Sequence, residues 1–319
     1  MKKTVLLFGG RSAEHDVSLS SAAYLLPRLR ERTEAIFPVF ISRDGALTAA
    51  DTYAPLSLVY ESGALSFVSS ASDALRFTPE LAISLLHGTH GEDGDWQGLL
   101  SLAGIPCVGA GVLASSLAMH KPTAKRLAKS VGIPSARFVT VKDHESVENA
   151  LPYPVFIKPA TGGSSLGASK ATDRASLLRA IKSARCYGEV MAEAYVACRE
   201  LSVAVYEKDG EVCASPVGET VAEGGFYDYG AKYEKDTVFL CPAPIEPKTA
   251  DTARAWAKKL FCLFGIRDMA RIDFFLDPSG TLLFNEINTL PGYTEHSLYP
   301  RLLAAAGEDP LLPFKEAWS

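Results

Sequence analysis

The first hundred residues alternate short apolar runs with amphipathic segments. Apolar runs at 4–8, 35–41 and 81–86 are typical of strands. Apolar side chains recur at helical spacing over 17–30, and a second helix is predicted over 96–103. This order of strands and helices predicts a parallel sheet covered by helices.

The rest of the chain mixes helices with more strands. Helical periodicity predicts helices over 118–131, 174–184 and 249–264. Further strands are predicted over 105–108, 138–141, 155–159, 190–193, 201–206 and 212–217. The chain ends in a predicted hairpin of two strands, 269–276 and 281–287.

Composition narrows the class of protein. With 47% hydrophobic and 22% charged residues, the 319-residue chain can fold into two or three domains. A net charge of −5 gives no basic surface for nucleic acid or an anionic membrane, which favours small-molecule chemistry. No apolar run approaches the roughly 20 residues that span a bilayer. Six cysteines without a CxxC pair predict reduced, mostly buried thiols in a cytoplasmic protein.

The C-terminal hairpin carries the densest chemistry. A tight turn without a bulge pairs Arg271 with Glu286 and Asp273 with Phe284. One face then holds Arg271, Asp273, Glu286 and Asn288, whereas Asn285 lies on the other. Oxygen ligands of this kind suit Mg²⁺. The alternative is a solvent-exposed polar face with a surface salt bridge.

A glycine- and serine-rich loop follows Lys158. Its glycines over 160–167 allow the backbone to approach a phosphate, and Lys158 supplies positive charge. The loop lacks Walker A spacing and does not open a helix, which disfavours the P-loop class. An ordinary turn between strands is the alternative, but the acidic hairpin downstream favours a nucleotide site.

Two further loops follow strands of the first sheet. Residues 9–16 open the first helix, where Glu14 would repel a pyrophosphate and suit an ammonium group. A helix cap by Asp16 or Ser18 is a structural alternative for part of this motif. The second loop, 87–94, contains two histidines beside small and acidic residues.

Taken together, these motifs resemble the D-alanine:D-alanine ligase family of the ATP-grasp superfamily. The matching blocks run in collinear order over nearly the whole chain: 9–18, 87–94, 158–167, 232–233, 271–273 and 285–297. The resemblance implies an α/β, three-part ATP-grasp architecture. Its parts are a Rossmann-like, parallel-sheet substrate-binding domain (1–111), a central α+β ATP-grasp domain (112–193) and a C-terminal α+β ATP-grasp domain (194–319) with a mobile loop (218–240).

The family resemblance also implies the reaction. Two D-alanines are condensed to D-alanyl-D-alanine through a D-alanyl phosphate, for peptidoglycan precursor synthesis. ATP is a substrate, and two Mg²⁺ ions, which Mn²⁺ can replace, assist the transfer. A cytoplasmic homodimer is implied, with no nucleic-acid or membrane partner.

The resemblance assigns roles residue by residue. The ATP phosphates would meet Lys121, Lys158, Lys232 and the loop residues Gly163, Ser164 and Ser165. Adenine and ribose would meet Glu193, Ala194, Tyr195, Val196 and Glu200. The metal ligands would be Asp273, Glu286 and Asn288.

On the amino-acid side, Glu14 would bind the first ammonium group and His87 would lie near its carboxylate. Ser164 and Tyr233 would close the site with Glu14. The remaining roles are oxyanion stabilisation by Arg271 and the backbone N–H of Gly292, and binding of the second carboxylate by Ser297.

Several alternatives stay open. A D-alanine:D-serine ligase is one, because an added hydroxyl is weakly discriminated. Family members that make D-alanyl-D-lactate carry histidine where Tyr233 stands, which disfavours that product. A non-catalytic nucleotide-binding regulator is a second class, and a nicotinamide enzyme is disfavoured by the missing GxGxxG motif. The residue before Lys121 is His120, where the family usually has an aspartate.

Overall fold

The computed structural model describes residues 1–69, 75–221 and 238–319, and these contain three sheets. The first has seven strands in the order β6-β5-β4-β3-β2-β1-β7. Its strands are β1 (Thr4–Gly9), β2 (Ile36–Ile41), β3 (Leu47–Ala49), β4 (Pro55–Glu61), β5 (Ala64–Ser69), β6 (Arg76–Phe77) and β7 (Leu81–Ser84). The helices that follow β1 and β7 are α1 (His15–Arg30) and α2 (Asp95–Leu102).

Only part of this sheet is parallel. Strand β1 pairs in parallel with β2 and β7, as predicted, but β2 through β6 form an antiparallel series. The expectation of a parallel sheet is therefore wrong for the segment between β2 and β7. Short turns connect β2 to β3, β3 to β4 and β4 to β5, and such turns can join only antiparallel neighbours.

The second sheet has four antiparallel strands in the order β10-β9-β11-β8. Its strands are β8 (Phe138–Thr140), β9 (Val155–Pro159), β10 (Ser169–Ala171) and β11 (Val190–Ala194). Helices α5 (His144–Glu148) and α6 (Arg174–Arg185) share an apolar core with it. The glycine-rich segment joins β9 to β10, as predicted.

The third sheet has the order β15-β14-β12-β16-β17, with β13 paired to β12. Its strands are β12 (Arg199–Lys208), β13 (Glu211–Ala214), β14 (Gly218–Val221), β15 (Val238–Leu240), β16 (Met269–Leu276) and β17 (Leu282–Asn288). The other helices are α3 (Val112–Met119), α4 (Lys121–Ser130), α7 (Pro247–Phe264), α8 (Leu298–Ala305) and a 3₁₀ helix (Leu312–Ala317). Residues of α3, α4 and α7 contribute to the core of this sheet.

Two predicted elements differ in detail. The predicted helix over 118–131 is interrupted at His120, whose backbone is extended between α3 and α4. Pro122 suits the first turn of α4 and is incompatible with continuous helix, because it lacks an N–H group. The predicted strand over 105–108 contributes one isolated bridge, between Ala82 and Cys107.

All six cysteines are free, as predicted. Their predicted burial is wrong, because Cys186 and Cys262 are exposed and the others are half-buried. Within the described residues, no helix is both long and apolar enough to cross a membrane.

Candidate active site

A cavity of about 470 Å³ lies among the three sheets. The loops after β1 and β9, the strands β9 and β11, and the terminal hairpin all contribute to its wall. The predicted site residues that line it are Glu14, Lys121, Lys158, Gly163, Ser164, Ser165, Glu193, Ala194, Tyr195, Val196, Glu200 and Glu286. Folding therefore brings to one cavity the residues that were predicted to bind the ATP phosphates, the adenine and the ammonium group.

A row of charged groups extends from one wall of this cavity into the protein interior. Lys158 of β9 lies 2.8 Å from Glu193 Oε2, and Lys125 of α4 lies 2.8 Å from Glu193 Oε1. Burial opposes the charged form of Glu193, but the two lysines more than offset it and lower its pKa to about 2. Burial lowers the pKa of Lys125 to about 8. The carboxylate of Glu193 is thus shared by two ammonium groups.

Lys121 joins the glycine-rich loop to the hairpin. Its Nζ donates to the backbone oxygen of Gly162 at 2.6 Å and lies 3.2 Å from Glu286 Oε2. In the same loop, Ser164 and Ser165 have positive φ angles of 51° and 57°. This left-handed backbone is uncommon for serine and is typical of loops shaped by a binding site.

The hairpin register differs from the predicted one. Asp273 lies opposite Glu286, and Arg271 lies opposite Asn288. These four side chains share a face, as predicted, but the pairing without a bulge is wrong. The register shifts between Asp273 and Phe274, and Asn285 is the extra residue. Asn285 lines the cavity with its Oδ1 3.4 Å from Lys158 Nζ, so its predicted position on the opposite face is also wrong.

The oxygen atoms on this face fit Mg²⁺. Two carboxylates, Asp273 and Glu286, occupy paired positions, and the amide of Asn288 bonds Asp273 Oδ2 at 2.9 Å. Asp273 also accepts hydrogen bonds from Ser202 at 2.8 Å and from Nε and Nη2 of Arg271, each at 2.9 Å. Hard oxygen donors with such an orienting shell are suited to a divalent ion that also binds phosphate.

Glu14, the residue before α1, contributes another part of the cavity wall. Ser164 Oγ donates to Glu14 Oε1 at 2.5 Å, which joins the glycine-rich loop to the first helix. Gly88 lies on the other side of the carboxylate. A Cβ at Gly88 would stand 2.7 Å from Glu14 Oε2, and its φ of +74° also favours glycine.

Neither predicted cap is present on α1. The N-cap residue is Glu14 and no side chain caps the helix. Asp16 pairs with the exposed Arg43, whereas Ser18 Oγ accepts from Gly9 N and donates to Leu85 O. Ser18 of α1 therefore links the carboxyl ends of β1 and β7.

His87 is buried next to this wall and lines an adjoining cavity of about 400 Å³. Burial lowers the pKa of His87, which favours the neutral ring. Its Nε2 lies 3.2 Å from Ser21 Oγ, which accepts from the backbone N of Tyr293 at 3.2 Å. Ser21 thus connects His87 to the loop that contains Gly292.

Gly292 and Ser297 lie together in that loop. A Cβ on Gly292 would stand 3.3 Å from Ser297 Oγ, which accepts from the backbone N of Thr294 at 2.9 Å. Two other predicted site residues, Lys232 and Tyr233, lie outside the described residues.

Three residues in or next to the cavity wall were not among the predicted site residues. Lys125 shares the buried stripe of α4 with Ala124 and Ala128, a spacing that could have marked it as buried. Glu92 accepts from Gly88 N at 2.7 Å, and burial raises its pKa to about 8. Asn285 depends on the bulge, for which no local signal exists.

The four-stranded and six-stranded sheets that border the cavity match the α/β fold of solved ligase structures of the ATP-grasp type. Family models described as D-ala D-ala ligase N-terminus and C-terminus match residues 3–110 and 127–311. The chain therefore belongs to the D-alanine–D-alanine ligase family, a family of ligases.

Individual relatives agree with this assignment. The chain is 38% identical to a D-alanine–D-alanine ligase of Mycobacterium sp. (strain KMS), over 96% of the chain and 92% of the relative. It is 38% identical to D-alanine–D-alanine ligase A of Mesorhizobium japonicum, over 96% and 93%.

Solved structures are similar as well. The VanG D-Ala:D-Ser ligase of Enterococcus faecalis has a TM-score of 0.85 and 31% identity, over 98% of this chain and 97% of the other. The D-alanyl-alanine synthetase A of Vibrio cholerae has a TM-score of 0.87 and 29% identity, over 98% and 96%.

Proposed function

We propose that this protein is an ATP-dependent ligase that joins two D-alanines to D-alanyl-D-alanine, for peptidoglycan precursor synthesis in the cytoplasm. The observation that carries the proposal is the hydrogen bond between Ser164 and Glu14. It joins a phosphate-type loop to a carboxylate suited to an ammonium group, within one cavity. ATP and an amino acid bound there would meet at their reacting ends.

In the first step, the carboxylate of one D-alanine attacks the γ-phosphorus of ATP, and ADP leaves. Glu14 binds the ammonium group and so orients the attacking carboxylate. Lys121 and Lys158 offset the charge that spreads over the phosphoryl oxygens. Two Mg²⁺ ions held by Asp273, Glu286 and Asn288 would supply further charge neutralisation. Glu193, Ala194, Tyr195, Val196 and Glu200 would bind adenine and ribose.

In the second step, the amine of another D-alanine attacks the acyl phosphate. The carbonyl oxygen gains negative charge as the C–N bond forms. The C=O bond then re-forms, inorganic phosphate leaves, and the proton of the amine passes to that phosphate. We assign stabilisation of that oxyanion to Arg271 and the backbone N–H of Gly292. Ser297, within reach of Gly292, would bind the carboxylate of the second substrate.

An acyl phosphate hydrolyses in water, so the cavity must close during the reaction. We assign closure to the predicted loop 218–240, although its two ends are strands β14 and β15 and not loop. The residues between them, with Lys232 assigned to the γ-phosphate and Tyr233 to the closed site, lie outside the described residues. The domain boundaries at 111 and 193 and the homodimer are part of the same proposal, and they rest on the family resemblance.

The test is release of phosphate from ATP, measured with Mg²⁺ and with or without D-alanine. We expect release that depends on D-alanine, together with a dipeptide product detected by mass spectrometry. Folded protein that binds ATP but releases no phosphate with D-alanine would instead support the non-catalytic regulator.

A D-alanine:D-serine ligase is the second candidate, because a D-Ala:D-Ser ligase is among the similar structures. One assay with equal D-alanine and D-serine separates the two. We expect D-alanyl-D-alanine as the main dipeptide; a predominance of D-alanyl-D-serine would support the alternative.

A further inference from the structure

Lys125 is wholly buried, although it lies on a helix that borders the cavity. Its side chain is 0% exposed, and its Nζ lies 2.8 Å from Glu193 Oε1. It also donates to the backbone oxygen of Phe284 at 3.3 Å. Because Glu193 belongs to the four-stranded sheet and Phe284 to the six-stranded sheet, Lys125 connects the two sheets that border the cavity.

The charges of this row have a consequence for phosphate binding. Glu193 Oε2 lies 2.8 Å from Lys158, so that pair alone carries no net charge. A neutral ion pair attracts a polyphosphate weakly, since the two Coulomb contributions largely cancel. With Lys125 on the other carboxylate oxygen, the three groups carry a net charge of +1.

We infer that Lys125 is a positioning residue for the phosphates of the nucleotide. Lys125 pairs with the carboxylate oxygen of Glu193 that Lys158 does not contact. The positive charge of Lys158 therefore stays available to the cavity, although Lys125 itself cannot reach a ligand there. This inference rests on the proposed function, because it needs a nucleotide in the cavity. It assigns Glu193 a second role besides the adenine contact.

The experiment measures binding of ADP with Mg²⁺, and of adenosine, by calorimetry on the full chain. We expect Lys125→Met to weaken ADP binding about tenfold or more, because the remaining pair is neutral. Adenosine carries no phosphate, so its affinity should be unchanged. Lys125→Arg retains the charge and should bind ADP within about threefold of the wild type.

The double variant Lys125→Met/Glu193→Gln separates charge from packing. It removes the carboxylate together with its buried partner, so Lys158 again supplies a net charge of +1. We expect ADP affinity to recover relative to the single variant when both are expressed as the ratio of ADP to adenosine affinity. If Lys125→Met does not fold, the double variant is compared directly with the wild type, and a ratio within about threefold supports the inference.

Other outcomes overturn the inference. Equal ADP affinity in wild type and Lys125→Met would do so, as would an equal loss for ADP and adenosine. A folded double variant whose ADP to adenosine ratio stays about tenfold below that of the wild type would also contradict it. Failure of the wild type to bind ADP would instead remove the proposed function.

Discussion

The two walls of the cavity hold their charged groups in different ways. On the wall to which we assign the nucleotide (the nucleotide wall), Glu193 of β11 lies between Lys158 of β9 and Lys125 of α4, and the row carries a net charge of +1. On the wall to which we assign the amino acid (the amino-acid wall), Glu14 is held by Ser164 of a loop and packed against the backbone of Gly88. Charge on the first wall depends on regular elements, whereas charge on the second depends on loop conformation.

The largest effect is expected on the nucleotide wall, at Lys158. We expect Lys158→Ala to lower turnover by at least about a thousandfold, because a positive charge at the transferred phosphoryl group is lost. Phosphate release measures this, and circular dichroism checks the fold. Lys182→Ala, at an exposed position of α6, is the matched control and should retain activity. Activity close to wild type in Lys158→Ala would refute its role.

On the amino-acid wall, Glu14→Gln should raise the KM for D-alanine about a hundredfold, because the ammonium group loses a charged partner. The KM for ATP should change little. Steady-state kinetics with each substrate varied in turn measures both values. Asp16→Asn on the same helix is the control, since Asp16 is exposed. A rise in the KM for ATP equal to that for D-alanine would contradict the division between the walls.

Glu92, which accepts a hydrogen bond from Gly88 N next to Glu14, makes the stability of the protein depend on pH. Burial raises the pKa of its carboxyl group from 4.5 to about 8, so the folded state keeps a proton that the unfolded chain releases. Its contribution to stability is present below pH 4.5 and is lost as pH rises towards 8. Glu92→Gln cannot titrate, so its loss of stability between pH 5.5 and pH 8.5 should be smaller than that of the wild type by about 3 kcal/mol.

Urea unfolding of the wild type and of Glu92→Gln at pH 5.5 and 8.5 measures this effect. The control is Glu31→Gln, at the exposed C-cap residue of α1. Its free energy of unfolding should vary with pH as in the wild type. Parallel pH profiles for wild type and Glu92→Gln would show that Glu92 is ionised throughout.

The smallest effect is expected outside both walls. Asp16 pairs with Arg43 across an exposed surface, where solvent screens the interaction. We expect Asp16→Ala to change the free energy of unfolding by at most about 1 kcal/mol. A larger loss in a urea titration would indicate that Asp16 supports the start of α1 after all.

Much of the local structure followed from short-range pattern. Strands β9 and β16 have the predicted bounds, and the helix over 249–264 is present with two further residues at its start. The motifs also identified the correct family, because they follow the order of the family motifs over most of the chain. Long-range pairing was less accessible, as the antiparallel series between β2 and β6 demonstrates.

The sequence by itself determined the residues to which we assign the chemistry of the site, because Glu14, Lys158 and Asp273 stand in motifs whose spacing is local. Only the tertiary structure decided how charge is shared among them. The ion pair between Lys125 and Glu193 joins residues on separate elements, and the exposure of Asn285 to the cavity depends on a shift in strand register. Both result from packing of distant segments, where burial strengthens each charge interaction and no local pattern reports it.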